Sequence, residues 1–183
     1  ILGRDTPMTR PSRLSLFDLA PDKVLLDRYR ILSPHRENGM SAAFRVMDES
    51  TSEERELQAF PASLFENSKQ ANSFGEALRE WAHIHSEAIV SPEDIEVFED
   101  GAVIIVTPFP EGTALRTAFK ENGRFSAQEV LALGSSLLEG LETCHEAGVA
   151  HGDIKPTTIF MGASGPSLVD GGEGGGGGGC GDV

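Results

Sequence analysis

The order of hydrophobic patterns predicts an α+β fold: five short antiparallel strands with one inserted helix, followed by a mainly helical segment. Two alternating stretches, "DRYRILS" from Asp27 and "AAFRVMD" from Ala42, flank the turn-rich "PHRENGM" and read as a hairpin. A second pair, "DIEVF" and "AVIIV", is separated by the tight-turn sequence "EDG". The longest helical pattern, "SAQEVLALGSSLLEGLETCHEAG", comes after all of these.

Each element has its own signal. Residues 1–25 are rich in Pro, Arg, Ser and Asp without a period, so a loosely ordered lead-in is expected, with a short amphipathic turn at Leu14 to Leu19. A third strand is expected in "ELQAFPASLF", weakened at Pro61 unless that position lies at an edge or a bulge. Ser73 to His85 has helical spacing, with Phe74, Leu78 and Trp81 along one side and Trp81 as its core anchor. In the long helix Ser126 suits the N-cap, Glu129 the reciprocal position of a capping box, and Gly148 the stop. Its apolar face is expected through Val130, Leu133, Leu137, Leu138 and Leu141, and His145 is expected to pack. "TTIFM" and "PSLVD" read as two short strands around "GASG". The final thirteen residues, nine of them glycine, have the composition of a flexible coil.

Composition narrows the function. The chain has 183 residues, 39% of them apolar, which is enough for one core, and a formal net charge of -14. That charge argues against a nucleic-acid binder, which needs a basic face. The strongest apolar run, Ala102 to Val106, is too short to span a bilayer, and no secretory leader pattern follows Arg4, Arg10 and Arg13, so a cytoplasmic chain is expected. Cys144 and Cys180 form neither a disulfide framework nor a metal spacing. Glu93, Asp94, Glu96, Glu99 and Asp100 read as a solvated hairpin rim, with surface acidity a hint of a basic protein partner. Ile1 opens the chain, so a fragment, a processed product or a reading frame cut from longer DNA is expected, with Met8 a candidate start.

The stretch "AGVAHGDIKP" directly after the long helix, with "DRYRIL", "EAIV" and "PFPEGTAL" before it, resembles a bacterial eukaryotic-like Ser/Thr protein kinase over residues 26–172. The resemblance implies a small lobe at 26–107, a hinge and partial large lobe at 108–172, a glycine-rich tail at 173–183, and a cleft for Mg-ATP between the lobes. It assigns Asp153 as the base for a substrate hydroxyl and Lys155 as the group that neutralises the transferred phosphoryl. Asp170 becomes a magnesium ligand and Thr158 a weak one, since a hydroxyl replaces the family's asparagine. Gly39, Thr107 and Phe109 outline a degenerate nucleotide cleft.

Against this frame the chemistry is eroded. Arg36, Asn38 and Ser41 stand at the three glycine positions of the phosphate loop. The strand lysine is replaced by Pro61, or by Phe60 in a register shifted by one, and no lysine occurs between Lys23 and Lys69. Glu76 and Glu80, the candidates for the lysine's partner, then read as solvated helix charges. With Thr107 as gatekeeper, the hinge positions that bond adenine are Pro108 and Pro110, and proline has no N–H to donate. Gly152 replaces the catalytic-loop arginine, and "DGG" lacks the phenylalanine that packs between lobes. The resemblance stops after these glycines, so a truncated domain is expected, with the long helix's apolar surface uncovered.

The expectation is therefore a pseudokinase-like binding or regulatory module with a protein partner and no assigned cofactor. The rival is an active Ser/Thr kinase that uses Mg-ATP through Asp153, Lys155 and Asp170.

Overall fold

The computed structural model describes residues 13–38 and 41–169. Its first part is a six-stranded antiparallel sheet in the order β1-β2-β3-β4-β6-β5. The strands are β1 (Val24–Leu25), β2 (Tyr29–Asn38), β3 (Ser41–Asp48), β4 (Glu53–Phe60), β5 (Asp94–Val97) and β6 (Val103–Pro108). Five of the six match strands expected from sequence, but β2 runs on through "PHREN" to Asn38, where the turn-forming residues predict a break, its register shifts absorbing Pro34. β1 is too short to leave a periodic trace.

β4 and β6 occupy the middle of the sheet, and their side chains alternate between two cores. Leu57, Ala59, Ile104 and Val106 pack with Tyr29, Ile31, Val46 and Phe98 on one face. Phe60, Val103 and Ile105 face α1 (Ser68–Trp81), which offers Ala71, Phe74 and Leu78. β4 ends at Phe60 rather than running on toward Phe65, because Pro61 cannot donate to a ladder and instead caps a 3-10 turn at Ala62–Leu64.

α1 begins five residues earlier than its apolar spacing suggests and stops at Trp81, short of His85. The cause is Asn67, whose side-chain oxygen accepts the N–H of Gln70 at 3.0 Å and so fixes the first turn. Beyond the sheet come β7 (Thr113–Ala114), α2 (Leu115–Asn122), α3 (Ala127–Glu146), β8 (Ile159–Gly162) and β9 (Gly165–Leu168). β7, β8 and β9 form a small antiparallel sheet.

The capping box of α3 is formed: Ser126 Oγ accepts from Glu129 N–H at 3.2 Å, and Glu129 Oε2 accepts from Ser126 N–H at 2.7 Å. Gly148, with φ of +74°, donates its N–H to His145 at 2.9 Å as the chain leaves the helix. The inward face differs from the expected one. Leu133, Leu137, Leu141 and Cys144 join Trp81, Ile84, Ile89, Ile159 and Leu168 in a third core, while Val130 and Leu138 are exposed, as is Leu131. His145 is also exposed rather than packed. Position is the reason: α3 touches the rest of the molecule mainly through β9, along one narrow stripe.

Candidate functional site

The loop between α3 and β8 brings together His151, Asp153, Lys155 and Thr158. His151, Asp153 and Thr158 are buried. Asp153 donates its backbone N–H to His151 Nδ1 at 3.2 Å, and the edge of the Trp81 indole meets the His151 ring at a centroid distance of 5.0 Å. Trp81 thus anchors more than its helix: it ties α1 to this loop.

Lys155 Nζ lies 2.9 Å from Asp153 Oδ1, while Asp153 Oδ2 has no hydrogen-bond partner among the described residues. The two side chains assigned from sequence are therefore adjacent, and the second carboxylate oxygen is buried. Thr158 serves the loop's own backbone. Its hydroxyl accepts from Lys155 N–H at 3.1 Å and faces the carbonyls of Asp153 at 2.8 Å and Lys155 at 3.0 Å.

Across the cleft, the face of β4 that looks toward α1 and the large-lobe segment carries Glu56, Gln58 and Phe60, all fully buried. Phe60, not Pro61, is the residue that projects toward α1, where its ring meets Phe74 edge-on at 5.0 Å. Glu76 and Glu80 are exposed on another side of the helix. Gln58 donates to Ser41 Oγ at 2.7 Å, a buried bond between β4 and the start of β3.

Glu56 has two hydrogen-bonding partners. His35 Nδ1 lies 2.5 Å from its Oε2, and the Arg36 guanidinium reaches its Oε1 at 2.5 Å. Burial by itself raises the Glu56 carboxyl, but hydrogen bonds from His35 and then Arg36 outweigh it and hold it below its ordinary range. A carboxylate this deep without such partners would cost several kcal/mol, on the order of what breaking a buried ion pair costs. The His35 ring also lies against Phe109 at 4.7 Å and Phe160 at 6.4 Å. Phe109 is held in turn by the Arg45 guanidinium, 5.2 Å from its ring centroid. Thr107 is buried on β6 and pairs with Glu56 of β4, so gatekeeper and carboxylate share one register position.

Gly39 and Asp170, the remaining assigned positions, lie outside the described residues. Burial pushes the Cys144 thiol up, and no group of three or more His, Cys, Asp or Glu side chains suited to a metal occurs among the described residues. No helix among them is long and apolar enough to cross a membrane. The His35–Glu56–Arg36 cluster is not legible in sequence, because "ERELQ" looks like solvated charge until β4 is known to be central. The two register shifts of β2, between Ile31 and Ser33 and between Pro34 and Arg36, complete its placement.

An antiparallel sheet with one crossing helix, followed by a helix and an H-x-D-x-K-P loop whose His151 and Asp153 are buried, defines a protein-kinase-like fold. The sequence matches the protein kinase domain over residues 37–170, well over half its length, and the chain belongs to that family. Its relatives include a probable serine/threonine-protein kinase, pknA2, of Bifidobacterium longum, 28% identical over 77% of this chain and 19% of that protein. Serine/threonine-protein kinase pkn2 of Myxococcus xanthus is 28% identical over 80% of this chain and 18% of that protein. The crystal structure of the PknI kinase domain of M. tuberculosis superposes with a TM-score of 0.72 at 17% identity, covering 82% of this chain and 61% of that one. The chain thus spans about a fifth of these curated relatives and about three fifths of the solved domain.

Proposed function

We propose that this chain is a degenerate kinase-like domain that has lost phosphoryl transfer and acts as a protein-binding, regulatory module in cytoplasmic signalling. The observation that carries it is Phe60, one of the two positions the resemblance offers for the phosphate-binding lysine, packed edge-on against Phe74 of α1. The phosphates of ATP need a cation there. With no lysine between Lys23 and Lys69, and Glu76 and Glu80 exposed, the chain offers an aromatic contact instead.

Three further features support the same conclusion. Glu56, buried on the cleft face of β4, engages the Arg36 guanidinium, so that cation is held by a carboxylate rather than offered to phosphate. Pro110 removes a hinge donor, at a cost on the order of 1 kcal/mol to a bound base. Thr158 is engaged by the backbone of its own loop, which suits a structural role better than magnesium binding. On this reading His151, Asp153 and Lys155 organise the loop, Thr107 and Phe109 border a cleft that takes no nucleotide, and the module needs no cofactor.

One observation favours the rival: Asp153 keeps an oxygen without a partner, beside Lys155, as a base for a hydroxyl group would. An active enzyme of that kind would hold Mg-ATP with Asp170 as a metal ligand. Incubation with magnesium and γ-labelled ATP, alone and with a generic basic protein substrate, separates the two. Label no greater than that of Asp153→Asn is expected; label that the substitution abolishes would establish the active kinase.

A further inference from the structure

We propose that the cleft contains a slot for one planar heteroaromatic ring and that the chain's own His35 fills it, latched by Glu56 and Arg36. The inference rests on the reading that the native chain binds no nucleotide, and it supplies a physical means by which the cleft is kept shut.

The slot is built from both sides of the molecule. Phe109 follows β6 of the large sheet and Phe160 belongs to β8 of the small one, and the His35 ring is in aromatic contact with both. Its side chain is 24% exposed, so the imidazole is seated in the cleft with one edge to solvent. Phe109 is kept in place by Arg45.

The latch is specific. Both oxygens of Glu56 are engaged by consecutive residues of β2, His35 on one and Arg36 on the other, with the carboxylate 2% exposed. Arg36 Nε is also 3.1 Å from each oxygen, so its guanidinium grips the carboxylate from the side. Two residues further along β4, the buried Gln58–Ser41 bond ties β3 to the same face. A ring-shaped ligand would therefore have to expel the imidazole and leave Glu56 without one of its two buried hydrogen-bond partners. Conversely, removing the imidazole leaves a ring-sized space between two phenylalanines, with a carboxylate oxygen placed to accept an N–H. That combination selects a planar heterocycle carrying an N–H donor, such as imidazole itself or a purine base.

The test is thermal unfolding of the full chain carrying His35→Gly, titrated with imidazole and separately with adenosine, beside the wild type. A saturable rise of several degrees in the variant and none in the wild type is expected, since a ligand that binds only the native state raises its midpoint. A variant that unfolds cooperatively but responds to neither compound overturns the slot. If His35→Gly does not fold, Glu56→Gln keeps the shape and removes the charge that holds the ring; adenosine should then stabilise it, and no response overturns the proposal. Stabilisation of the wild type by adenosine would overturn the latch. The underlying reading is decided separately, by the response of the wild type to Mg-ATP, and survives if only the variants fail.

Discussion

Asp48 closes β3 with its carboxylate buried, receiving Arg28 at 3.0 and 2.7 Å and the Ser50 backbone N–H at 2.9 Å. The Arg28 hydrogen bonds, opposed by burial and aided by Ser50, hold the carboxyl well below its ordinary value of 3.8. Glu56 is likewise depressed from its ordinary 4.5, by His35 and Arg36 against burial. A depressed folded pKa means that the stability these groups contribute is complete above the ordinary carboxylate range and lost as pH falls through it toward the folded values. The unfolding midpoint should therefore drop steeply between about pH 5 and about pH 3. Asp48→Asn should start lower at neutral pH and fall less steeply over that interval, and parallel curves would contradict the assignment. Neither carboxylate can be singled out from sequence. "VMDES" and "ERELQ" are polar strings whose burial depends on which strands flank them, and that is a property of sheet order.

Elements with local signals are the ones legible in the chain. The α3 capping box and its glycine stop are local hydrogen-bond chemistry, and both are formed as their spacing predicts. The face of α3 was not, because Val130, Leu138 and Leu133 share one amphipathic pattern and only the position of β9 decides which are covered. β7 and α2 left no signal at all, being two residues and eight residues long. Their junction with β8 depends on Gly112, which has φ of +82° and whose Cβ, if present, would lie 1.9 Å from the Met161 carbonyl oxygen. Gly112→Ala should cost about 2 kcal/mol or more, through backbone strain and the displaced β7–β8 pairing. Denaturant unfolding measures it, and a loss under about 0.5 kcal/mol, the level of an ordinary surface change, would contradict the close approach.

For the molecule as a whole, the kinase-like order of elements was readable because the H-x-D-x-K-P loop, the long helix before it and the hairpins are each local. What they do together was not. Sequence places each departure from the family pattern at a single position, whereas the fold adds contacts between distant residues: Phe60 against Phe74, and His35 with Glu56 and Arg36 against Phe109 and Phe160. The acidic rim is also less free than its charge suggests, since Arg55 pairs with Glu93 and Arg28 and Tyr29 reach Asp94. Exposed Leu131 and Leu138 on α3 are the larger apolar side chains left to solvent there. The contacts of Phe60 and of His35 bear on whether the cleft accepts nucleotide. The most direct measurement is thermal unfolding of the full chain with and without millimolar Mg-ATP, repeated with Asp170→Asn. A cooperative transition unmoved by nucleotide is expected. A magnesium-dependent rise in midpoint that Asp170→Asn abolishes would contradict it, because only binding to the native state produces such a rise.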